Sequence, residues 1–431
     1  MEPSRSFDVF SRELDLSWIE RALKVKGTAS MRRRKLPAEY VVWLVVGMAL
    51  FRDRSIQEVV RHLNLVLPDE DKPDGRGTVT GSAIVQARDR VGPELLSMLF
   101  AETAAAWAGP SADQHRWRGL AVYGVDGATL RVADTEENEA AFGRPKSGRG
   151  QAAYPQVRVV ALMVLRSHLL AAADFGPSSV SETKVAQTLW TKLPDRSLTI
   201  VDRGFISYKV FYDIQNHGDQ RHWLTRAKKN LLWRVVKRLG PHDDLVEIPI
   251  HRNTRRAHPD LPETLQARAV RYQRHGFRPQ ILLTSLIDPN LYPAAEIAEL
   301  YHERWELELG FDEIKTHTLE REETLRCRAP ERVRQELWGL ALGYNLVRLE
   351  MESVAAGLQL PPRRISYRHS LHFIRAFWLT AWLASPGKVP VRLESLHQEI
   401  ALLVLPERRP RSYPRVVKIK MSGYPLKRRP S

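Results

Sequence analysis

Apolar residues at helical spacing dominate the first 110 positions of the chain. The run "YVVWLVVGMALF", residues 40–51, is apolar on every side and too short to span a bilayer, which predicts a buried helix. A second run, "SAIVQARDRVG", predicts a helix with Ser82 as its N-cap and Gly92 as its end. We therefore predict a helical N-terminal domain over residues 1–115.

The pattern changes near residue 116, where short runs rich in Val, Leu and Ala replace the helical spacing. Five runs are typical of strands: "GLAVYGVDGATLRVAD", "VRVVALMVL", "HLLAAADFG", "SLTIVDRG" and "HWLTRAK". Helical patterns separate only the last three of them. This order predicts a mixed α/β sheet over residues 116–228.

Residues 229–290 break that alternation, because three further strand-like runs follow with no helix between them. These runs are "DLVEIPI", "LQARAVRYQR" and "PQILLTSL". We interpret this segment as a β-rich insertion, after which the core resumes over residues 291–356 with a long helix. Residues 357–431 are predicted to be a helical C-terminal region that ends in a basic tail.

The helix after the insertion contains "YHERWELELGFDEIK", residues 301–315. At about 100° per residue one stripe of an ideal helix holds four polar residues, Tyr301, Arg304, Glu308 and Lys315. An apolar stripe lies beside it. The segment alone is compatible with an exposed row of ion pairs and with a carboxylate that takes part in chemistry.

The charge of the chain narrows the range of partners. Its 431 residues carry a formal net charge of +16, which favours a polyanion such as nucleic acid over a surface that is basic only for solubility. Arg88 and Arg90, on a predicted helix, are candidate phosphate contacts or solvated charges. The single cysteine, Cys327, excludes an intramolecular disulfide and a multi-cysteine zinc site. The first residues lack the apolar core of a signal peptide, so we expect a cytoplasmic protein without membrane contact.

Three carboxylates stand where a catalytic site can form. Asp126 lies in the strand-like run "YGVDGATL", where Gly127 allows another group to approach closely, and Asp202 follows the apolar run "LTIV". Each could also be an ordinary turn residue. Together with Glu308 they offer the oxygen ligands that a pair of hard divalent cations accepts.

The segment "DGATL" also resembles part of a phosphatase loop, D-x-D-G-T-[LV]. That chemistry requires a nucleophilic aspartate two residues before Asp126. Gly124 occupies this place, so the sequence excludes the phosphatase and favours Asp126 as a metal ligand.

These residues resemble the bacterial insertion-sequence-4 family of DDE transposases. The family signature Y-x2-R-x3-E-x6-K is met by four residues, Tyr301, Arg304, Glu308 and Lys315. Four more blocks are similar to family segments: "TGSAIVQARDRVG", "DGATLRVADTEENEAAFGRP", "AYPQVRVVAL" and "VDRGFIS". The resemblance extends over residues 12–350.

The resemblance implies an RNase H-like catalytic core that a β-rich insertion interrupts. It implies Asp126, Asp202 and Glu308 as catalytic metal ligands for two Mg²⁺ ions, for which Mn²⁺ can substitute. It also implies that Tyr301, Arg304 and Lys315 contact DNA near the cleaved end.

The implied partners are the terminal inverted repeats of the element, target DNA, and a second copy of the chain in a synaptic complex. Three functions remain open at this point: a cut-and-paste transposase, a catalytically inactive or domesticated DNA-binding protein derived from one, and a stand-alone nuclease. The intact carboxylates favour the first over the second. The helical N-terminal domain argues against the third.

Overall fold

The computed structural model describes most of the chain outside its two ends. The described residues are 14, 16–26, 36–67, 77–147, 150–274, 278–320, 324–381, 383 and 385–407. The predicted basic tail lies outside them from residue 408 onward.

Four helices begin the chain: α1 (Leu16–Lys26), α2 (Ala38–Leu50), α3 (Ile56–His62) and α4 (Gly81–Gln114). Helix α2 is buried from Tyr40 to Leu50, as its uniformly apolar sequence predicts. The cap of α4 is Thr80 and not Ser82 as predicted, because the Thr80 side chain accepts the N–H of Ala83. Gly92 does break the helix, with φ of 67°, but a second helical segment continues after it.

The remaining helices alternate with strands and then close the chain. They are α5 (Glu136–Phe142), α6 (Glu182–Val185), α7 (Tyr208–Asn216), α8 (Arg252–Ala257), α9 (Ala294–Tyr301), α10 (Trp305–Asp312), α11 (Pro330–Gly357), α12 (Tyr367–Ala381) and α13 (Val389–Ala401). The last two lie within residues 357–431, where helices are predicted. Among the described residues, no helix has both the length and the apolar character that crossing a membrane requires.

Twelve strands are described: β1 (Ala121–Val132), β2 (Lys146–Ser147), β3 (Gly150–Gln151), β4 (Gln156–Val164), β5 (Leu170–Pro177), β6 (Ser197–Val201), β7 (Arg221–Arg226), β8 (Arg234–Gly240), β9 (Asp243–Pro249), β10 (Thr264–Tyr272), β11 (Gln280–Thr284) and β12 (Thr324–Leu325). The first half of the main sheet has the order β5-β4-β1-β6-β7. β4 is antiparallel to β1 and β5, whereas β6 is parallel to β1 and β7. This order and direction confirm the predicted RNase H-like core.

The predicted insertion is rich in strands, but it does not form a separate sheet. β11 pairs antiparallel with β7, and the same sheet continues through β10, β9 and β8. The sequence did not predict β8, "RVVKRLG", because five of its seven residues are exposed and no apolar face marks it as a strand. The insertion therefore widens the catalytic sheet and is joined rigidly to its edge.

Helices cover both faces of the sheet around one hydrophobic core. On one face, α10 lies over β1, and the Trp338 ring of α11 packs on Phe175 of β5. On the other face, Val185 of α6 approaches Gly176 of β5.

The N-terminal helices share this core with the C-terminal part of the chain. A Cβ atom at Gly339 of α11 would lie 2.6 Å from the carbonyl oxygen of Val45, so α2 and α11 cross at the closest possible distance. The predicted division of residues 1–115 from the catalytic core is therefore a division in sequence and not in space.

Candidate active site

Asp126, in the middle of β1, lies beside Asp202, which directly follows the carboxyl end of β6. In the β1–β6 register Val125 is paired with Val201, so the next position aligns Asp126 with Asp202. Lateral neighbours in a sheet project from the same face. In the β6–β7 register Ile200 is paired with Leu224, so two positions further on Asp202 is aligned with Arg226. Asp126, Asp202 and Arg226 therefore form a row of charged side chains across the three strands, two carboxylates followed by one guanidinium.

Helix α10 brings Glu308 to the same face through a close contact at Gly124. A Cβ atom at Gly124 would lie 2.7 Å from Cδ1 of Leu307, the neighbour of Glu308. Since Gly124 and Asp126 are two residues apart in β1, both face α10. Gly124, whose presence excluded a phosphatase nucleophile, therefore has a structural role. It allows the helix that carries the family signature residues to pack closely on β1.

The signature helix is less regular than the predicted stripe assumed. α9 ends at Tyr301, a 3-10 turn covers His302–Arg304, α10 follows, and a π-helix covers Glu313–Thr318. Arg304 and Glu308 remain one turn apart, and the Arg304 Nη2 donates to Glu308 Oε1 at 2.8 Å. Lys315 lies in the π-helix and lines an apolar cavity beside β1 and β4, further along the sheet than Asp126.

The environment of Asp126 concentrates negative charge. Burial raises the pKa of Asp126 to about 6, although its Oδ1 accepts the Gly127 N–H at 2.8 Å, which lowers the pKa. The carboxylates of Glu182 and Asp202 raise the pKa further, whereas Arg304 lowers it. A partly buried carboxylate among other carboxylates is stabilised in its charged form by a bound cation.

Tyr301 and Arg226 border this row of charges. Tyr301 is buried, and burial raises the pKa of its phenol above the ordinary value while the charges of Arg304 and Arg226 lower it. Sequence reasoning missed Arg226. Its signal was available, because Arg226 ends a parallel strand in the same way that Asp202 follows one.

The donor set fits a hard divalent cation, since all three predicted ligands offer carboxylate oxygens. Within the described ranges, no group of three or more His, Cys, Asp or Glu side chains is close enough to hold a metal as it stands. Glu308 instead accepts from Arg304. A metal-bound arrangement therefore requires the Glu308 carboxylate to exchange its guanidinium partner for the cation.

A buried polar network fixes the helix that carries Glu308. His168 lies between two of its carboxylates, with Nε2 3.0 Å from Glu306 Oε2 and Nδ1 3.4 Å from Glu313 Oε2. The Tyr344 hydroxyl donates to Glu313 at 2.8 Å, and Arg348 forms an ion pair with the same carboxylate. Burial alone would raise the pKa of Glu313, but the charges of Arg348 and His168 outweigh it and lower the pKa to about 2.

The prediction that Arg88 contacts DNA is wrong in this structure, because Arg88 is only 2% exposed. Its guanidinium donates to Gln335 Oε1 at 3.1 Å, to Cys327 Sγ at 3.3 Å and to the Arg332 carbonyl at 3.2 Å. Arg88 thus joins α4 to α11. Arg90 is exposed on the same helix, and its contact with DNA stays a prediction.

Arg88→Met is expected to lower the free energy of unfolding by about 1–3 kcal/mol, because it leaves buried acceptors on α11 without a donor. Arg90→Ala, the matched control on the same helix, is expected to change stability by about 0.5 kcal/mol or less. Urea unfolding followed by circular dichroism measures both. If the Arg88→Met protein folds with normal stability and binds DNA more weakly, the result would instead support a phosphate contact by Arg88.

Two family profiles match the chain. The profile described as "Insertion element 4 transposase N-terminal" matches residues 4–101, and "Transposase DDE domain" matches residues 117–346. The second match contains Asp126, Asp202 and Glu308.

Named relatives are similar over most of the chain. "Transposase InsG for insertion sequence element IS4" from Escherichia coli (strain K12) is 38% identical over 96% of this chain and 92% of its own length. "Putative transposase InsZ" from the same organism is 33% identical over 64% of this chain and 94% of its own length. A solved piggyBac transposase synaptic complex with hairpin DNA overlaps 97% of this chain and 89% of its own, at 10% identity and a TM-score of 0.42, which is too loose for any conclusion.

Proposed function

Because the chain belongs to the insertion-element-4 family of DDE transposases, we propose that it cuts DNA at the terminal inverted repeats of its element and joins the freed ends to target DNA. The observation that supports the proposal is that Asp126, Asp202 and the helix bearing Glu308 lie on one face of the sheet. The β1–β6 register aligns the two aspartates, and the packing of Leu307 on Gly124 brings the glutamate. This intact trio argues against an inactive DNA-binding descendant.

Asp126, Asp202 and Glu308 would hold two Mg²⁺ ions, for which Mn²⁺ can substitute. Bound there, the ions supply activation of a water molecule and stabilisation of the departing 3′-oxygen. The three carboxylates come from β1, from the turn after β6 and from α10, and their negative charge would balance that of the cations.

Arg304 has two successive partners in this scheme. In the structure it holds the Glu308 carboxylate, which keeps the ligand near its place. If Glu308 held a cation instead, the guanidinium fork of Arg304 would be free to bind a phosphate of the DNA end. Lys315, Tyr301 and Arg226 complete the phosphate contacts, with the hydroxyl of Tyr301 as a hydrogen-bond donor.

The chemistry consists of two in-line displacements at phosphorus. In the first, water attacks the phosphodiester at the element end and the bond to the 3′-oxygen breaks, which leaves a 3′-hydroxyl. In the second, this hydroxyl attacks a target phosphodiester and the target's own 3′-oxygen leaves. Two ends must be joined together, so we propose a dimer in the synaptic complex, with residues 1–115 recognising the repeats.

Cleavage of a DNA duplex carrying the element's own end is expected to require Mg²⁺ or Mn²⁺. Ca²⁺ is expected to support binding with little cleavage, because its larger and more flexible coordination sphere places the reacting groups poorly. A gel assay with each metal, and with EDTA alone, measures this dependence. Full cleavage in excess EDTA would refute the proposal.

A further inference from the structure

We propose that Glu182 is a fourth carboxylate of this metal site, a positioning residue that would orient the cation's surroundings beside Asp126. The inference rests on the proposed metal-dependent function and deepens it. Glu182 is the first residue of α6, which crosses the face of the sheet opposite to α10. Carboxylates would thus surround the site from both faces of the sheet.

The first observation is the contact of Glu182 with Gly127. A Cβ atom at Gly127 would lie 2.8 Å from Cγ, 2.9 Å from Cδ and 3.1 Å from Oε1 of Glu182. Only a glycine leaves room for this side chain against the backbone. The sequence predicted that Gly127 admits another group beside Asp126, and the structure shows that the group is a carboxylate.

The second observation is that Glu182 is held in place and yet remains accessible. Arg158 Nη1 donates to Glu182 Oε1 at 2.8 Å, and its Nη2 donates to the Ser178 carbonyl at 3.1 Å. The side chain of Ser181 caps α6 by accepting the Lys184 N–H, which fixes the backbone at Glu182. The Glu182 side chain is still 37% exposed, so the carboxylate can reach a water or an ion.

The third observation separates this position from an ordinary surface ion pair. Val201 ends β6, so β1 continues beyond its neighbour at Asp126 and Gly127. α6 also contacts the turn that follows Asp202. Glu182 therefore lies beside the gap in the sheet where both aspartates stand. An exposed Arg–Glu pair contributes only about 0–1 kcal/mol to stability, so a purely structural role predicts little effect of its removal.

The test measures Mn²⁺ binding to the full-length protein by electron paramagnetic resonance, without DNA. Glu182→Gln is expected to raise the Kd for Mn²⁺ about tenfold, the usual effect of losing a residue that orients metal ligands. The control is Glu296→Gln, because Glu296 also lies in the first turn of a helix and accepts from an arginine, Arg118, at 2.7 Å. The control is expected to bind Mn²⁺ normally.

The Mg²⁺ concentration that half-saturates cleavage is expected to rise by a similar factor in Glu182→Gln, with the melting temperature unchanged. Wild-type Mn²⁺ affinity in Glu182→Gln, with loss of affinity in Asp126→Asn, would overturn this inference and leave the proposed function intact. Absence of Mn²⁺ binding in the wild type, or binding indifferent to Asp126→Asn, would overturn both.

Discussion

Asp126→Asn, Asp202→Asn and Glu308→Gln are each expected to lower DNA strand cleavage about 10³-fold or more, while binding to the element end persists. Each amide removes one negative charge from a cation site and leaves the shape of the side chain nearly unchanged. A 10³-fold loss corresponds to about 4 kcal/mol of transition-state stabilisation. Cleavage under single-turnover conditions and a mobility shift in Ca²⁺ separate the two effects.

Asp312→Asn is the matched control, because Asp312 lies one turn after Glu308 on the same helix. Asp312 is exposed, and its Oδ1 accepts the Thr316 hydroxyl at 2.6 Å. This variant is expected to keep most of the activity. Near-normal cleavage by Glu308→Gln, with loss of cleavage in Asp312→Asn, would identify Asp312 as the third metal ligand in place of Glu308.

Glu313→Gln is expected to lower the free energy of unfolding by about 3–5 kcal/mol, because it leaves the Arg348 charge buried without its partner. The Arg348 side chain is 1% exposed and that of Glu313 16%. The control is Glu331→Gln at the start of α11, where the glutamate of an exposed pair with Arg334 is 61% exposed and is expected to contribute almost nothing. Urea unfolding of both variants measures the difference.

The same pair predicts a dependence of stability on pH. In the folded chain the charges of Arg348 and His168 lower the pKa of Glu313 from its ordinary value of 4.5 to about 2. Its contribution to stability is therefore complete above pH 4.5, and it is lost as the pH falls towards 2. Glu313→Gln is expected to unfold with a weaker pH dependence in this window. An acid transition identical to that of the wild type would show that other carboxylates govern it.

Local sequence patterns were sufficient to predict five core strands, β1, β4, β5, β6 and β7, together with Asp126 inside the first of them and Asp202 directly after β6. These patterns could not show which helices pack against one another. Arg88 was predicted as a surface contact because its own helix is charged there, whereas Gln335 and Cys327, far along the chain, enclose it. His168 and Glu313 show the same limit, because their meeting depends on the packing of a turn, a helix and α11. In the sequence, Gly124 stood out because a phosphatase would have an aspartate at this position. Only the structure shows that Leu307 packs where a side chain at position 124 would lie.

The packing of α2 on α11 has a consequence for the order in which the chain can fold during synthesis. About 215 residues separate the end of α4 from the start of α11. At about 5–20 residues per second, the ribosome needs roughly 10 to 45 s to make them. During that interval the surface of α2 that packs on α11 stays uncovered, and exposed apolar surface of this kind is what chaperones and proteases bind. A chain that ends before α11 keeps this surface of α2 exposed to solvent.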